Sequence, residues 1–329
     1  MTGSQVVVDT AGGGTGGAAR WRYELDAYLT RCAAPPRVLG RGRQVTARWL
    51  VEREWRVGAA ELAVASNNVS FGVAGRHRAV LLRNALHFLY PAEAHLARLM
   101  PRAFRAQIPV VRRLAARADE LVVPSTAMAD RVRRCLPRAA GRIVVRAHPV
   151  TPVGVRRPAE VPFVLVPVVP GPYKNLLPQL RALVRAMDAL GRPGQIWVTA
   201  RPDQLPPDLL AQPRIRPMGR LPHAALADLW RTAMAAFYPS VVESFGYPLA
   251  EARVYGVPVI AADTAQNREI AGPALCGYRA GVEGELREAV LRSAEPVPAQ
   301  PRAFDPDAYF QQLLGIHRVP GSTVSRGSR

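Results

Sequence analysis

Short apolar runs alternate with stretches of helical periodicity along this chain of 329 residues, and the alternating series occurs twice. Each run is bounded by Gly, Pro or polar residues, and none approaches the roughly 20 residues of a membrane span. Strands that alternate with helices indicate a parallel sheet covered by helices, because parallel neighbours need a crossover connection. A stretch with four prolines, "HPVTPVGVRRPAEVP", separates the two series. The sequence therefore predicts an α/β protein with two Rossmann-like domains.

The first series covers residues 1–150. It begins with an apolar run at Val6–Val8, a glycine-rich loop, and an amphipathic helix that carries Trp21 and Leu25 on one face. The later strands of this domain are predicted at Arg37–Leu39, Leu62–Ala65, Val80–Leu82, Glu120–Val123 and Ile143–Val145.

The second series covers residues 151–304. Its strands are predicted at Phe163–Val168, Ile196–Thr199, Ala235–Tyr238 and Val257–Ala261. Its helices are predicted at Leu176–Leu190, Ala224–Ala233 and Pro248–Tyr255. A final helix is expected within residues 305–319, and residues 320–329 are expected to be a disordered tail because they hold little to bury.

Basic residues are distributed unevenly along the chain. Residues 1–157 contain 26 arginines against 10 acidic residues, a net charge of +16, whereas residues 158–329 have a net charge of only +3. This asymmetry indicates that the first domain faces an anionic partner, such as a membrane surface, a charged acceptor or a nucleic acid. The nucleic-acid alternative is disfavoured, because the arginine-rich segment 93–157 lacks interleaved aromatic residues and any DNA-binding signature.

Three cysteines without a C-x-x-C pair argue against a disulfide framework or a zinc site. The amino terminus shows no signal peptide. A cytoplasmic protein is therefore expected, with peripheral attachment at the inner membrane surface as an alternative. The oligomeric state stays open. The Arg-rich, Ala-rich and Pro-rich composition is typical of a bacterial chain with GC-biased coding.

Lys174 is the only lysine, since the other 43 of the 44 basic residues are arginine. It follows a predicted strand and precedes the helix that starts in "KNLLPQL". A helix N-terminus presents unpaired N–H groups and a partial positive charge, and an added ammonium makes this a phosphate-binding position. In open α/β sheets, ligands bind at this edge.

A second helix N-terminus follows the stretch "YPSVVESFGYPLAEARVYG". Glu243 lies in the loop before the helix and Glu251 lies inside it, with seven residues between them. Gly246 lets the backbone approach a ligand closely. Carboxylates are poor phosphate ligands, but they accept hydrogen bonds from sugar hydroxyls well. These residues together predict a nucleotide-sugar site.

In these motifs the chain resembles the family-four retaining glycosyltransferases. The resemblance rests on "KN", on "MGRLPHAALADLWRTAMAAFYPSVVESFGYPLAEARVYGVPVIAAD" with its E-x7-E motif, on "NREIAG", and on weaker matches in the first domain such as "LLRNALHF". It implies the GT-B fold, two facing Rossmann-like domains with the C-terminal helix packed back on the first. It also implies a metal-independent, hexosyltransferase-like enzyme that moves a sugar from a nucleoside diphosphate to an acceptor hydroxyl with retention. A glycan, a lipid-linked molecule or a secondary metabolite are all open as acceptors, and an anionic or membrane-linked one is among the alternatives.

The resemblance also assigns roles. Lys174 would bind the donor diphosphate, Glu243 would lie beside the transferred sugar, and Glu251 would hold the nucleotide ribose. Further donor contacts would come from Ser244, Phe245, Gly246, Gly12, Gly13, Gly14 and Gly16. Asn84 falls where many relatives have a histidine. The arginine that relatives carry shortly before the lysine is absent, since Val168 and Val169 stand there, and Arg201 is its candidate replacement.

Two other motifs point elsewhere. "GGGTGG" spells a dinucleotide fingerprint, so an NADP-dependent oxidoreductase is an alternative, but that interpretation leaves Lys174 and the E-x7-E loop unexplained. Asp305 and Asp307 form a D-x-D pair, which binds metal in other glycosyltransferases. They precede a predicted helix, so a helix cap is the better account. No metal and no cofactor are predicted.

Overall fold

The computed structural model describes residues 6–171, 174–240 and 242–315. It contains two six-stranded sheets, and every strand pair in them is parallel. The α/β prediction with two Rossmann-like sheets is confirmed. The predicted tail 320–329 lies outside the described residues.

The first sheet has the strand order β2-β1-β3-β4-β5-β6. Its strands are β1 (Val6–Asp9), β2 (Arg37–Leu39), β3 (Leu62–Ala65), β4 (His77–Leu81), β5 (Glu120–Val123) and β6 (Ile143–Val145). The helices among them are α1 (Gly16–Leu29), α2 (Ala47–Val57), α3 (Ala94–Arg98), α4 (Arg102–Ala115) and α5 (Thr126–Cys135).

The second sheet has the strand order β12-β11-β10-β7-β8-β9. Its strands are β7 (Phe163–Val166), β8 (Gln195–Val198), β9 (Ile215–Pro217), β10 (Ala235–Tyr238), β11 (Val259–Ala262) and β12 (Leu275–Tyr278). Its helices are α6 (Leu176–Ala189), α7 (Pro207–Leu210), α8 (His223–Thr232), α9 (Tyr247–Tyr255), α10 (Ala265–Ala271) and α11 (Glu283–Arg292), and α12 (Pro306–Leu314) follows them. The strands β9 and β12 were not predicted.

The last helix leaves the second sheet and packs on the first domain. The indole of Trp21 in α1 donates to the hydroxyl of Tyr309 in α12 at 3.0 Å. The ring of Phe310 lies 5.6 Å from Trp21 and 5.0 Å from Tyr28, between ring centres. Asp305 accepts from the amides of the first turn of α12, so it caps this helix as predicted.

The chain passes between the two sheets twice, and the crossing segments lie side by side. Val150, near the end of the first domain, donates its backbone N–H to the carbonyl of Phe304 at 3.0 Å. A single buried hydrophobic cluster includes Val8 of the first sheet, Leu165 of the second and Phe310 of α12. The site between the sheets therefore rests on a continuous core.

Candidate donor-sugar site

The N-termini of three helices converge where the two domains face each other. A Cβ added to Gly17 of α1 would lie 3.2 Å from the ring of Tyr247, the first residue of α9. A Cβ on Gly16 would lie 3.9 Å from Val169, in the loop that leads to α6. That loop is joined to the loop before α9 by an ion pair between Lys174 and Glu243. The starts of α1, α6 and α9 thus border one site.

Within the described parts of the chain, no side chain at the N-cap position closes any of these three helices. Thr15 precedes α1, Asn175 precedes α6 and Gly246 precedes α9, and none of them makes a capping hydrogen bond through its side chain. Asn175 and Gly246 both have left-handed backbone conformations, with φ of 50° and 80°. In α1 and α6, first-turn N–H groups therefore stay available for an anionic ligand. In α9, Pro248 has no N–H and Leu249 already donates to the carbonyl of Gly246.

The glycine loop before α1 can be built only from glycine at several positions. Gly12, Gly13 and Gly16 have positive φ, and a Cβ on Gly13 would lie 2.3 Å from the Cβ of Ala18. Gly14 accepts a hydrogen bond at its carbonyl from Arg220 of the second domain, at 2.8 Å. The loop therefore lies directly against the second domain, as the resemblance implies.

Lys174 and Glu243, predicted separately, are neighbours in the structure. The ammonium nitrogen lies 3.2 Å from the carboxylate oxygen Oε1, and the two side chains are 15% and 21% exposed. Strands β7 and β10 are adjacent in the sheet, so the loops at their carboxyl ends meet. The pair places one cation and one hydrogen-bond acceptor together at the N-termini of α6 and α9.

Glu251 is only 4% exposed and forms an ion pair across the domains. Its Oε1 accepts from Nε of Arg20, at 3.1 Å, and the same guanidinium also contacts Glu24. Burial raises the pKa of Glu251, although Arg20 opposes the change. Glu24 in turn accepts from the backbone N–H and the hydroxyl of Thr151, at 2.7 and 2.6 Å. Two buried carboxylates thus share one guanidinium, which leaves acceptor capacity for a ligand hydroxyl.

The loop between Glu243 and α9 is fixed by contacts with the first domain. The hydroxyl of Ser244 donates to the carbonyl of Arg83 at 2.7 Å, and the hydroxyl of Ser125 donates to the carbonyl of Ser244 at 2.8 Å. Phe245 is buried, and its ring centre lies 5.1 Å from that of His148. The loop is thereby held against the end of β4.

Two predicted residues are engaged elsewhere. The guanidinium of Arg201 is exposed and forms a two-point ion pair with Asp203, with its Nη2 at 2.8 Å. Asn84 accepts from the backbone N–H of Leu86 at 3.0 Å and so caps a short 3₁₀ helix at Ala85–Phe88. The structure therefore records local contacts for both residues.

Asp9 and Arg53 support the glycine loop, and the sequence analysis did not single them out. They form an ion pair of 2.7 Å in which both side chains are almost fully buried. Asp9 also accepts from the backbone N–H of Ala11, at 3.0 Å, and from the indole of Trp49. The signal in the sequence was an aspartate that ends a buried strand directly before a glycine loop.

The described residues contain no cluster of three or more His, Cys, Asp or Glu side chains that is arranged to hold a metal ion. Within the same residues, no helix is both long enough and apolar enough to cross a membrane.

Comparison with known proteins identifies the fold and the segment around α9. Residues 207–290 match the family described as "Glycosyl transferases group 1". HepE from Anabaena, solved with UDP and glucose, is similar over 94% of this chain and 97% of its own, with a TM-score of 0.64 and 14% identity. A sucrose-phosphate synthase from Thermosynechococcus elongatus gives 0.63 and 15%, over 94% and 96% of the two chains. WaaG, a glycosyltransferase involved in lipopolysaccharide biosynthesis, gives 0.62 and 14%, over 88% and 90%.

Among curated proteins, none matches the chain significantly. The GT-B fold and the resemblance to group 1 glycosyltransferases are nevertheless confirmed by the family match and the structural neighbours. These comparisons support glycosyl transfer rather than the oxidoreductase or nucleic-acid-binding alternatives.

Proposed function

Because residues 207–290 match the Glycosyl transferases group 1 family and the chain has the GT-B fold, we propose that the protein transfers a sugar from a nucleoside diphosphate to an acceptor hydroxyl, with retention. The observation that carries this proposal is the ion pair of Lys174 and Glu243 between helix N-termini that no side chain caps in the described chain. Such a site offers positive charge and N–H donors to a diphosphate, and a carboxylate to a sugar hydroxyl.

In the proposed reaction, the bond between the anomeric carbon and the diphosphate oxygen breaks while the acceptor oxygen bonds to the same face of that carbon. The acceptor proton passes to the departing phosphate. Lys174 and the N–H groups of α1 and α6 stabilise the negative charge that develops on the leaving group, which is electrostatic preorganisation. Activity that survives EDTA is expected, because these groups supply the charge stabilisation.

Glu251 is proposed to accept a hydrogen bond from the nucleotide ribose. Arg20 fixes its carboxylate through Oε1, and the second carboxylate at this guanidinium, Glu24, gives the cluster an excess of acceptors over donors. Ribose hydroxyls supply the missing donors. Phe245 and Gly246 are proposed to contribute backbone contacts to the sugar, and Gly12, Gly13, Gly14 and Gly16 to approach the phosphates.

A thermal-shift screen with UDP-, GDP- and dTDP-sugars tests the donor class. A ligand at 100 times its dissociation constant stabilises the folded state by about 2.7 kcal/mol, which raises the melting temperature measurably. UDP-sugars come first, because HepE is solved with UDP and glucose and with UDP-glucose. Absence of stabilisation by any of them, together with no release of nucleoside diphosphate in their presence, would refute the proposal.

We also propose that the first domain faces an anionic, membrane-linked acceptor from the cytoplasmic side. Helix α4 carries four arginines and no acidic residue. Beside its end, Trp55 of α2 is 85% exposed and Val73 is 82% exposed. The carboxylate of Glu54 accepts from the backbone N–H groups of residues 72–74 and holds Val73 there.

Sedimentation with vesicles tests this placement. Binding is expected to phosphatidylglycerol vesicles and not to phosphatidylcholine vesicles, because arginines are attracted to anionic lipid and Trp to the interface. Trp55→Ser should weaken binding, whereas Val155→Ser, at a similarly exposed valine of the crossing segment, should not. Equal binding of the protein to both vesicle types would contradict the proposal.

A further inference from the structure

The arginine that follows strand β4 lies at the boundary between the domains. Arg83 stands two residues beyond the end of β4, at the edge of the sheet that faces the site. Its backbone N–H donates to the side chain of Asn68 at 2.5 Å, and its carbonyl accepts from Ser244 of the facing domain at 2.7 Å. Both backbone groups are therefore fixed, and the side chain starts next to the loop that carries Glu243.

The side chain of Arg83 is only partly buried, and its guanidinium has no counter-ion among the described residues. Its carbon Cζ lies 5.2 Å from the centre of the Trp21 ring, and the buried Nη1 has no hydrogen-bond partner among the described residues. No carboxylate in the described chain forms an ion pair with it, since Glu24 and Glu251 are both held by Arg20. Burial lowers the pKa of Arg83 to about 10, while Tyr247 and Tyr309 oppose the change and Arg22 adds to it.

Beyond Ser244, which donates to the carbonyl of Arg83, the loop leads to other buried polar atoms that lack partners. The hydroxyl of Tyr247 and both ring nitrogens of His148 make no hydrogen bond to a described residue. The rings of Tyr247 and His148 are stacked, with their centres 5.8 Å apart. Burial and Arg83 hold the pKa of His148 well below its ordinary value, so the imidazole is neutral and one nitrogen carries a hydrogen. The cluster is rich in donors and has a net positive charge.

A partly buried cation without a counter-ion, together with buried donors without acceptors, is unfavourable for the folded protein on its own. An oxyanion placed among them supplies both the missing charge and the missing acceptors. We propose that Arg83, Tyr247 and His148 form a subsite for an oxyanion, a phosphate or carboxylate group, between the two domains. The oxyanion would belong either to the donor diphosphate or to an anionic group of the acceptor. Only this assignment of the oxyanion rests on the proposed function.

Replacement of the charge tests the subsite directly. Arg83→Met keeps an apolar stem over Trp21 and removes the positive charge. Without ligand, its melting temperature should rise above that of the unmodified protein, because a cation without a counter-ion no longer has to be partly desolvated. With pyrophosphate or inorganic phosphate, the unmodified protein should be stabilised and Arg83→Met should not, with at least a tenfold loss of affinity. Arg287→Met, at an exposed arginine of α11, is the matched control and should change neither result.

Two outcomes overturn the subsite. A lower melting temperature of ligand-free Arg83→Met would show that the guanidinium stabilises the interface itself. Equal phosphate affinity of Arg83→Met and the unmodified protein would show that no anion binds there. Neither measurement needs a sugar donor, so both are readable even if the proposed glycosyl transfer is wrong.

Calorimetry with nucleotides then identifies the source of the oxyanion. If the donor supplies it, Arg83→Met should lose about tenfold in affinity for UDP while its affinity for UMP changes little. If the acceptor supplies it, UDP should bind both proteins equally, and kcat/KM for an anionic acceptor should fall in Arg83→Met but not for a neutral one. A loss of phosphate binding with neither of these effects would contradict a subsite that serves the reaction.

Discussion

Two sets of helices in this protein differ in whether a side chain caps their N-termini. The set formed by α2, α5, α10 and α12 has a capping side chain in each case: Thr46, Ser125, Thr264 and Asp305 accept from N–H groups of the first turn. The set formed by α1, α6 and α9 has no such side-chain bond among the described residues, and these three helices border the candidate site. The helices α3, α4, α7, α8 and α11 also begin without one, so a missing cap by itself does not mark the site.

For α1 and α6, the missing cap lowers the stability of the helix and leaves its N-terminus open to a ligand. A capping side chain stabilises a helix by typically about 1 kcal/mol. A cap on α1 or α6 would occupy the N–H groups that a diphosphate needs. The absence of these caps therefore agrees with a site whose N–H groups are satisfied by the ligand. Substitutions at the uncapped and at the capped helices test this interpretation.

The largest effect on turnover is expected at Lys174, which adds a full positive charge to the N-terminus of α6. Removal of a preorganised donor aimed at developing charge typically lowers the rate by 10²–10³-fold, so Lys174→Ala should lose at least about a hundredfold in turnover. Lys174→Arg should recover only part of it, because the planar guanidinium is wider than the ammonium. Release of nucleoside diphosphate is the assay, with a melting curve as control. A fully active, normally folded Lys174→Arg protein would show that the position needs only positive charge.

The second effect separates the two glutamates. Glu251→Gln should weaken nucleoside diphosphate binding by roughly tenfold or more, since a charged acceptor is worth about 1.5–3 kcal/mol to its hydrogen bonds. Glu243→Gln should leave this affinity nearly intact and lower turnover, because Glu243 is assigned to the sugar. Calorimetry measures the first change and product release the second. Equal losses of nucleotide affinity in both variants would contradict the division of roles.

A third change would convert an uncapped helix into a capped one. Thr15→Asp places a carboxylate at the N-terminus of α1, where it should stabilise the ligand-free protein by about 0.5–1 kcal/mol. The same carboxylate should repel the diphosphate and weaken its binding several-fold. Thr46→Asp is the matched control, because Thr46 already caps α2, and neither quantity should change much. Tighter nucleotide binding in Thr15→Asp would remove α1 from the phosphate site.

The smallest effect is expected on the capped side. Thr264 accepts from the backbone N–H of Asn267 at 3.1 Å. Thr264→Ala should lower the free energy of unfolding by about 0.5–2 kcal/mol and leave the nucleotide dissociation constant unchanged. Chemical denaturation and calorimetry measure the two quantities. A change in nucleotide affinity here would show that the helix ends are coupled rather than divided into two sets.

The sequence predicts this molecule well wherever a local pattern determines the structure. Periodicity located most strands within a few residues, and the adjacency of β7 and β10 accounts for the meeting of Lys174 and Glu243. Strands β9 and β12 escaped prediction, since Ile215–Pro217 and Leu275–Tyr278 are short and partly polar or glycine-containing. The donor assignments drawn from the resemblance stay predictions.

Contacts between the domains could not be predicted in the same way. Arg20 and Glu251 are 231 residues apart, and their pairing depends on how two separately folded units face each other. The position of the Arg83 guanidinium has the same origin, because nothing in "LLRNALHF" shows that it lies over the ring of Trp21. Side-chain placement at such a boundary is determined by packing rather than by periodicity.

The two neighbouring crossing segments determine how the two domains can move relative to each other. Because Val150 and Phe304 are joined by a hydrogen bond, the two passages of the chain lie side by side. The helix α12, which follows the second passage, is anchored on Trp21 of the first domain. A relative movement of the domains is therefore expected to be a rotation about the line of these passages, and it would have to break the ion pair between Arg20 and Glu251 across the site.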